Sequence, residues 1–187
     1  MNRKKWQLLL VVTLFALPLL AAWIGGAIGW RPEGSRAHGT LLNPPLALRE
    51  ARLVDESGEV LPWRNAESAW HVFLIAPSEC DARCAGMVDT LHRVWRGLNR
   101  HARRVEVHFH GIPDAAAREA MKSFPQMHVT RLEPDLMPIM DTAASADVAA
   151  AVGLPVLLFD PNGYLVMRFD AGFDPTGLRR DLYRLVR

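Results

Sequence analysis

Hydrophobic and polar positions divide the chain into an uninterrupted apolar leader and a patterned remainder. From Trp6 to Trp30 no charged residue occurs, and Arg3, Lys4 and Lys5 precede the run. Such a run can cross a hydrocarbon core of ~30 Å even when tilted. It exceeds the roughly 7–15 apolar residues of a cleaved signal peptide, although Ala21-Ala22 imitates a cleavage site. Residues 1–30 are therefore predicted to be an uncleaved anchor, with Trp6, Trp23 and Trp30 suited to the interface and Pro18 tolerated inside. The basic residues should stay in the cytoplasm. That predicts a single-pass protein of a bacterial inner membrane with its C-terminal domain facing the periplasm.

Beyond the anchor the periodicity changes. Residues 31–50, rich in Gly, Pro and polar side chains, read as a linker. Leu53, Val54 and Val60 about a Ser57-Gly58 turn predict a short hairpin. Ala69 to Ile75 is a continuous apolar run of strand length, as a buried central strand requires. From Cys80 to about Arg100 the stripe Met87, Leu91, Val94, Leu98 has helical spacing. Val105 to His110 is a second strand. A helix over Asp114 to Phe124 has Pro113 near its start, and Met127 to Leu132 reads as a short strand. Ser145 to Val152 is an Ala-rich helix ended by Gly153. Val156 to Phe159 is another buried strand, turned by Pro161-Asn162-Gly163 into Tyr164 to Phe169. Asp174-Pro175 caps a final helix that buries Leu178, Leu182 and Leu185.

Composition changes this picture little. The formal charge of +2 shows no basic stripe, which argues against nucleic acid as a partner. The only two cysteines, Cys80 and Cys84, change it more. Four positions apart, they lie on one face of a helix, one turn above each other. That spacing closes a disulfide or offers two thiolates to a soft metal, and an oxidising periplasm favours the disulfide. As a stability device the bridge is weak, because so short a loop removes little unfolded-state entropy. A helix N-terminus lowers the pKa of Cys80, whereas Glu79 and Asp81 oppose this and Arg83 offsets them. Cys84, one turn inside, reads as the resolving thiol.

The order is strand, cysteine pair, helix, strand, helix, Leu154-Pro155, strand, hairpin and helix. It resembles the thioredoxin fold, an α/β architecture with a central mixed sheet flanked by helices, over residues 51–187. The cysteine pair after the first central strand, Leu154-Pro155, and Phe159-Asp160-Pro161-Asn162-Gly163-Tyr164 carry the resemblance. It implies a cis Pro155 facing the sulfurs, where its backbone could pair with an extended substrate. The three-residue cysteine spacing, the anchor, Pro113-Asp114 and Leu158 to Gly163 resemble the Sco/SenC proteins, membrane-tethered copper handlers of cytochrome c oxidase assembly. That family binds copper through both cysteines and a histidine before the later hairpin. Here Ala149 to Phe159 has no histidine, and Asp81 replaces the usual proline.

His108 and His110 alternate with Val107 and Phe109 and share a face. His110, at the carboxyl end of its strand, is a candidate to replace the absent ligand. A hydrogen-bonded strand-end histidine is the bland alternative. His71 reads as packing at its strand start. Met127, Met137 and Met140 offer thioethers that suit Cu(I), but methionine more often fills cores. The reading is thiol–disulfide exchange by Cys80, Cys84 and Pro155, requiring no cofactor. Its client would be a cytochrome c oxidase subunit or another periplasmic thiol protein. The alternatives are a copper chaperone using Cys80, Cys84 and His110, and a non-catalytic scaffold that binds partner proteins.

Overall fold

The computed structural model of the chain describes residues 3–27, 37–77, 80, 82–133 and 154–187. It divides into two compact units, Met1–Arg36 and Ala37–Arg187. In the first, helix α1 (Arg3–Ala27) carries Pro18 within it and leaves Leu14, Phe15, Leu19 and Trp23 exposed. Taken over the described residues, no helix is long and apolar enough to cross a membrane. The uncharged run in the sequence begins at Trp6, inside α1, and continues past the helix end at Ala27 to Trp30.

The second unit is built on one eight-stranded mixed sheet. Its strands are β1 (Thr40–Ala47), β2 (Arg52–Asp55), β3 (Val60–Leu61), β4 (Trp70–Ile75), β5 (Val105–His110), β6 (Met127–Glu133), β7 (Val156–Phe159) and β8 (Tyr164–Phe169). Their spatial order is β1-β8-β7-β4-β5-β6-β2-β3. Strands β4, β5 and β6 run parallel, and every other pairing is antiparallel. The central strands are mostly buried because both of their faces are covered, and β7 is apolar throughout. Val72, Leu74, Val107, Phe109, Val156 and Leu158 pack with helices α2 (Ala82–Arg96), α3 (Ala115–Lys122) and α4 (Pro175–Leu185). Phe73, Ile75, Leu157 and Phe159 point the other way, against Leu53, Leu132, Leu165 and Trp63.

Local chemistry sets the element ends. The Asp114 carboxylate accepts from Ala117 N–H at the start of α3, and Asp174 accepts from Thr176 and Gly177 at the start of α4. In the β2–β3 turn Gly58 takes a positive φ, and Asp55 accepts from the Ser57 and Glu59 backbones. The helix expected to reach Arg100 stops at Arg96. Asn99 adopts a left-handed φ of 52°, and a 3-10 helix follows over Asn99–Arg104.

Two expectations change here. Part of the stretch read as a linker, Thr40–Ala47, is an edge strand paired with β8. Pro44 and Pro45 fit there because an edge leaves one row of donors unused and the register shifts between Leu41 and Leu46. The expected cis bond before Pro155 is absent: among the described residues the cis peptide is Asn43–Pro44. Pro155 instead leads into β7, and its carbonyl accepts from Ile75 N–H at 3.1 Å, extending the β4–β7 ladder. The helix expected over Ser145 to Val152, and Met137 and Met140, lie outside the described residues.

Candidate redox site and a histidine cluster

Cys80 and Cys84 form a disulfide with Cα atoms 5.8 Å apart. Strand β4 delivers the chain to this point, and α2 begins at Ala82, so the bridge straddles the helix N-terminus. Cys84 is fully buried among Ala76, Val88 and Leu154, whereas Cys80 is partly exposed. Cys80 thus retains accessible surface and Cys84 none, the asymmetry expected of a nucleophilic and a resolving thiol.

Pro155 reaches the same sheet edge from the opposite direction, because β7 is antiparallel to β4 and Val156 pairs with Leu74. The chain leaves β5 through Gly111, whose φ of +135° suits glycine. A Cβ there would lie 2.9 Å from the Ala76 Cβ. Close approach of the two strand ends therefore fixes this edge.

His110 ends β5 beside Ile75. Ile75 belongs to the sheet face opposite the one Cys84 packs into, so the register turns the His110 side chain away from that helical layer. Met127 is a buried core residue, 5% exposed. The structure brings together the two cysteines and the Pro155 edge, and sets His110 on the other face.

The polar group that the sequence did not reveal lies on that other face. Among the described residues, His71, Glu106 and His108 are the set of ligating side chains close enough to hold a metal ion. Their place follows from the β4–β5 register, in which His71 pairs with Glu106 and Phe73 with His108. His71 Nδ1 lies 3.1 Å from His108 Nε2. Glu106 Oε2 lies 3.4 Å from His71 Nδ1 and 3.8 Å from His108 Nε2.

Trp63 shields the cluster. Its ring meets His71 edge-on and stacks on Phe159, and its carbonyl accepts from His71 Nε2 at 2.7 Å. Asn65 donates from its amide to Glu106 Oε1. Burial, reinforced by the nearby His71 and His128, holds His108 well below the ordinary imidazole range. The hydrogen bond from His71 holds Glu106 below the ordinary carboxylate value, against the opposing effect of burial. One signal was available in sequence: Glu106 and His108 alternate along a strand, and His71 lies in the neighbouring one. Only the register shows that these positions meet.

A parallel three-strand core with antiparallel additions, and a disulfide at the first helix after the first central strand, defines a thioredoxin-like protein. A family profile described as transmembrane-like, thioredoxin-like, C-terminal domain matches residues 70–187, and the chain belongs to that family. No curated protein matches the chain. Among solved structures it is similar to the apo Sco1 protein of Thermus thermophilus, with TM-score 0.52 and 15% identity over 83% of this chain and 99% of that one. It is also similar to Arabidopsis thaliana ScoI with copper bound, with TM-score 0.50 and 14% identity over 81% and 99%. A protein from Aquifex aeolicus VF5 matches with TM-score 0.52 and 15% identity over 76% and 97%. These likenesses establish the fold.

Proposed function

We propose that the protein is a Sco-like, membrane-anchored thioredoxin-fold protein that assists cytochrome c oxidase assembly by thiol–disulfide exchange through Cys80 and Cys84. The observation that carries this reading is the asymmetric disulfide, with Cys80 partly exposed at the N-terminus of α2 and Cys84 buried. In the reduced protein the Cys80 thiolate attacks a client disulfide, forms a mixed disulfide and releases one client thiolate. Cys84, deprotonated, then attacks the Cys80 sulfur and releases the second client thiol. Two electrons pass to the client, and the protein is left with the Cys80–Cys84 bridge. An external dithiol reductant would restore the pair. Pro155 is a positioning residue in this scheme, since it holds the start of β7 against the end of β4.

The anchor belongs to the same proposal. Its support is the uncharged run Trp6 to Trp30 after Arg3, Lys4 and Lys5, with apolar side chains exposed along α1. Orientation by those basic residues would place the disulfide in the periplasm, where such bridges persist. A periplasm-dependent reporter fused after Arg187 should be active; activity only of a cytoplasmic reporter would overturn this topology.

Copper carriage is the second reading, and the copper held by the Arabidopsis relative supports it. Two reduced thiols one turn apart suit Cu(I). The three-ligand set does not fit, because His110 belongs to the opposite sheet face and Ala149 to Phe159 contains no histidine. One experiment separates the readings. The full chain in detergent is reduced, titrated with Cu(I) against a competing chelator, and poised in redox buffers to obtain the potential of the dithiol. A reducing potential with no competitive copper binding supports exchange. Tight binding that is lost in His110→Ala supports carriage. Oxidase assembly that survives Cys80→Ser in cells would sink both and leave a partner-binding scaffold.

A further inference from the structure

We propose that His71, Glu106 and His108 form a binding site for a divalent first-row transition metal, with Zn²⁺ the ion that best matches the donor set. The site is separate from the disulfide. It lies on the opposite sheet face, and β4 and β5 place it toward their amino ends, away from the edge where Cys80 and Pro155 meet.

The donor atoms are spaced as a metal requires. Ligands about 2.0–2.1 Å from a tetrahedral metal stand about 3.4 Å from one another. The three facing atoms are separated by 3.1, 3.4 and 3.8 Å, close to one triangular face of such a tetrahedron. The side chains are thus already gathered, and small adjustments would seat the ion.

Outer contacts orient two of the donors. A ligating histidine characteristically donates its other ring N–H to a carbonyl or carboxylate, which fixes the tautomer and frees the facing nitrogen. His71 meets this condition: Nε2 donates to the Trp63 carbonyl at 2.7 Å, and Nδ1 faces the site. Glu106 is held in the same way, with Oε1 on the Asn65 amide and Oε2 turned inward. Asn65 is in turn fixed, because its Oδ1 accepts from the Glu67 and Ala69 N–H groups. The loop between β3 and β4 therefore supports two of the three ligands.

The two imidazoles lie in a buried environment. His71 and His108 are 0% and 1% exposed, and His108 Nδ1 has no hydrogen-bond partner among the described residues. Buried polar rings are costly when left partly unpaired, so this cluster is a poor choice for packing alone. The Glu106 side chain remains 35% exposed, so the cluster is not wholly sealed from solvent. Two imidazoles and a carboxylate suit Zn²⁺ and its neighbours rather than Cu(I), which prefers sulfur.

The test uses the full chain in detergent, stripped with a chelator and kept disulfide-bonded. Co²⁺ is added as a spectroscopic probe and Zn²⁺ as competitor. One equivalent of Co²⁺ with a tetrahedral ligand-field band, displaced by Zn²⁺, is the expected result. A Cys80→Ser/Cys84→Ser variant should bind equally well. Glu106→Gln preserves shape and an acceptor for Asn65, and should weaken binding at least about tenfold, the scale on which metal sites respond to lost support. His108→Gln should do the same, with circular dichroism to verify the fold. Absence of stoichiometric binding by the wild-type chain would overturn the proposal, as would full affinity in Glu106→Gln or loss of binding in the cysteine variant.

Discussion

Cys80 and Cys84 share one disulfide but not one environment, since Cys84 has no exposed surface and Cys80 retains some. After reduction, alkylation should therefore modify Cys80 at least about tenfold faster than Cys84, because access and helix-terminal stabilisation both favour it. Mass spectrometry at short reaction times reads the ratio. A Cys84→Ser variant should accumulate a mixed disulfide with an added disulfide substrate, and Cys80→Ser should not. Equal labelling of the two thiols would remove the assignment of roles.

The end of the chain is tied to the start of its domain through Asp181. This carboxylate, 2% exposed on α4, accepts from the backbone N–H groups of His38 and Gly39 and lies 3.1 Å from the His38 ring. Hydrogen bonds to a buried charge are worth about 1.5–3 kcal/mol each. Asp181→Ala should therefore cost about 2–4 kcal/mol, read as a lower urea midpoint with an unchanged slope. A loss below about 0.5 kcal/mol would show that water replaces the carboxylate without penalty.

Gly111 is where conformational freedom serves the redox edge. Its φ of +135° and the 2.9 Å approach of a built Cβ to Ala76 leave no room for a side chain. Gly111→Ala should cost about 1–3 kcal/mol. It should also change the redox potential of the cysteine pair, because Ala76 packs in the same cluster as Cys84. Unchanged stability and potential would show that β5 leaves the sheet without this constraint.

Acid should weaken the fold through His108. Its imidazole is held well below the ordinary value in the folded state, mainly by burial. As pH falls through about 6.5 the unfolded chain takes up a proton that the folded chain refuses. The unfolded state then binds more protons, so stability declines on acidification until the folded group also titrates. In chelator-treated protein this one group contributes a slope of up to about 1.4 kcal/mol per pH unit. Denaturation between pH 5 and 8 should give a flatter curve for His108→Gln than for the wild type, and identical curves would contradict the assignment.

Much of the secondary structure was readable from local pattern. Strands β5, β7 and β8 and the start of α4 fall where alternation, apolar runs and the Asp174-Pro175 cap put them. Elsewhere tertiary pairing overrides the local cues. Pro44 and Pro45 argued for a linker, yet β8 offers an edge on which prolines cost little. Leu154-Pro155 suggested a cis bond, yet Ile75 draws the Pro155 carbonyl into the ladder.

The sequence by itself determined the pair Cys80 and Cys84, their spacing of four positions, and the strand and helix that flank them; both cysteines were expected on the helix, but α2 begins at Ala82 and takes in Cys84 alone. Those properties depend on neighbours along the chain. Only the tertiary structure decided that His110 faces away from the helical layer and that His71, Glu106 and His108 converge. These depend on strand register and sheet face, where a one-residue slip would turn every side chain to the other side.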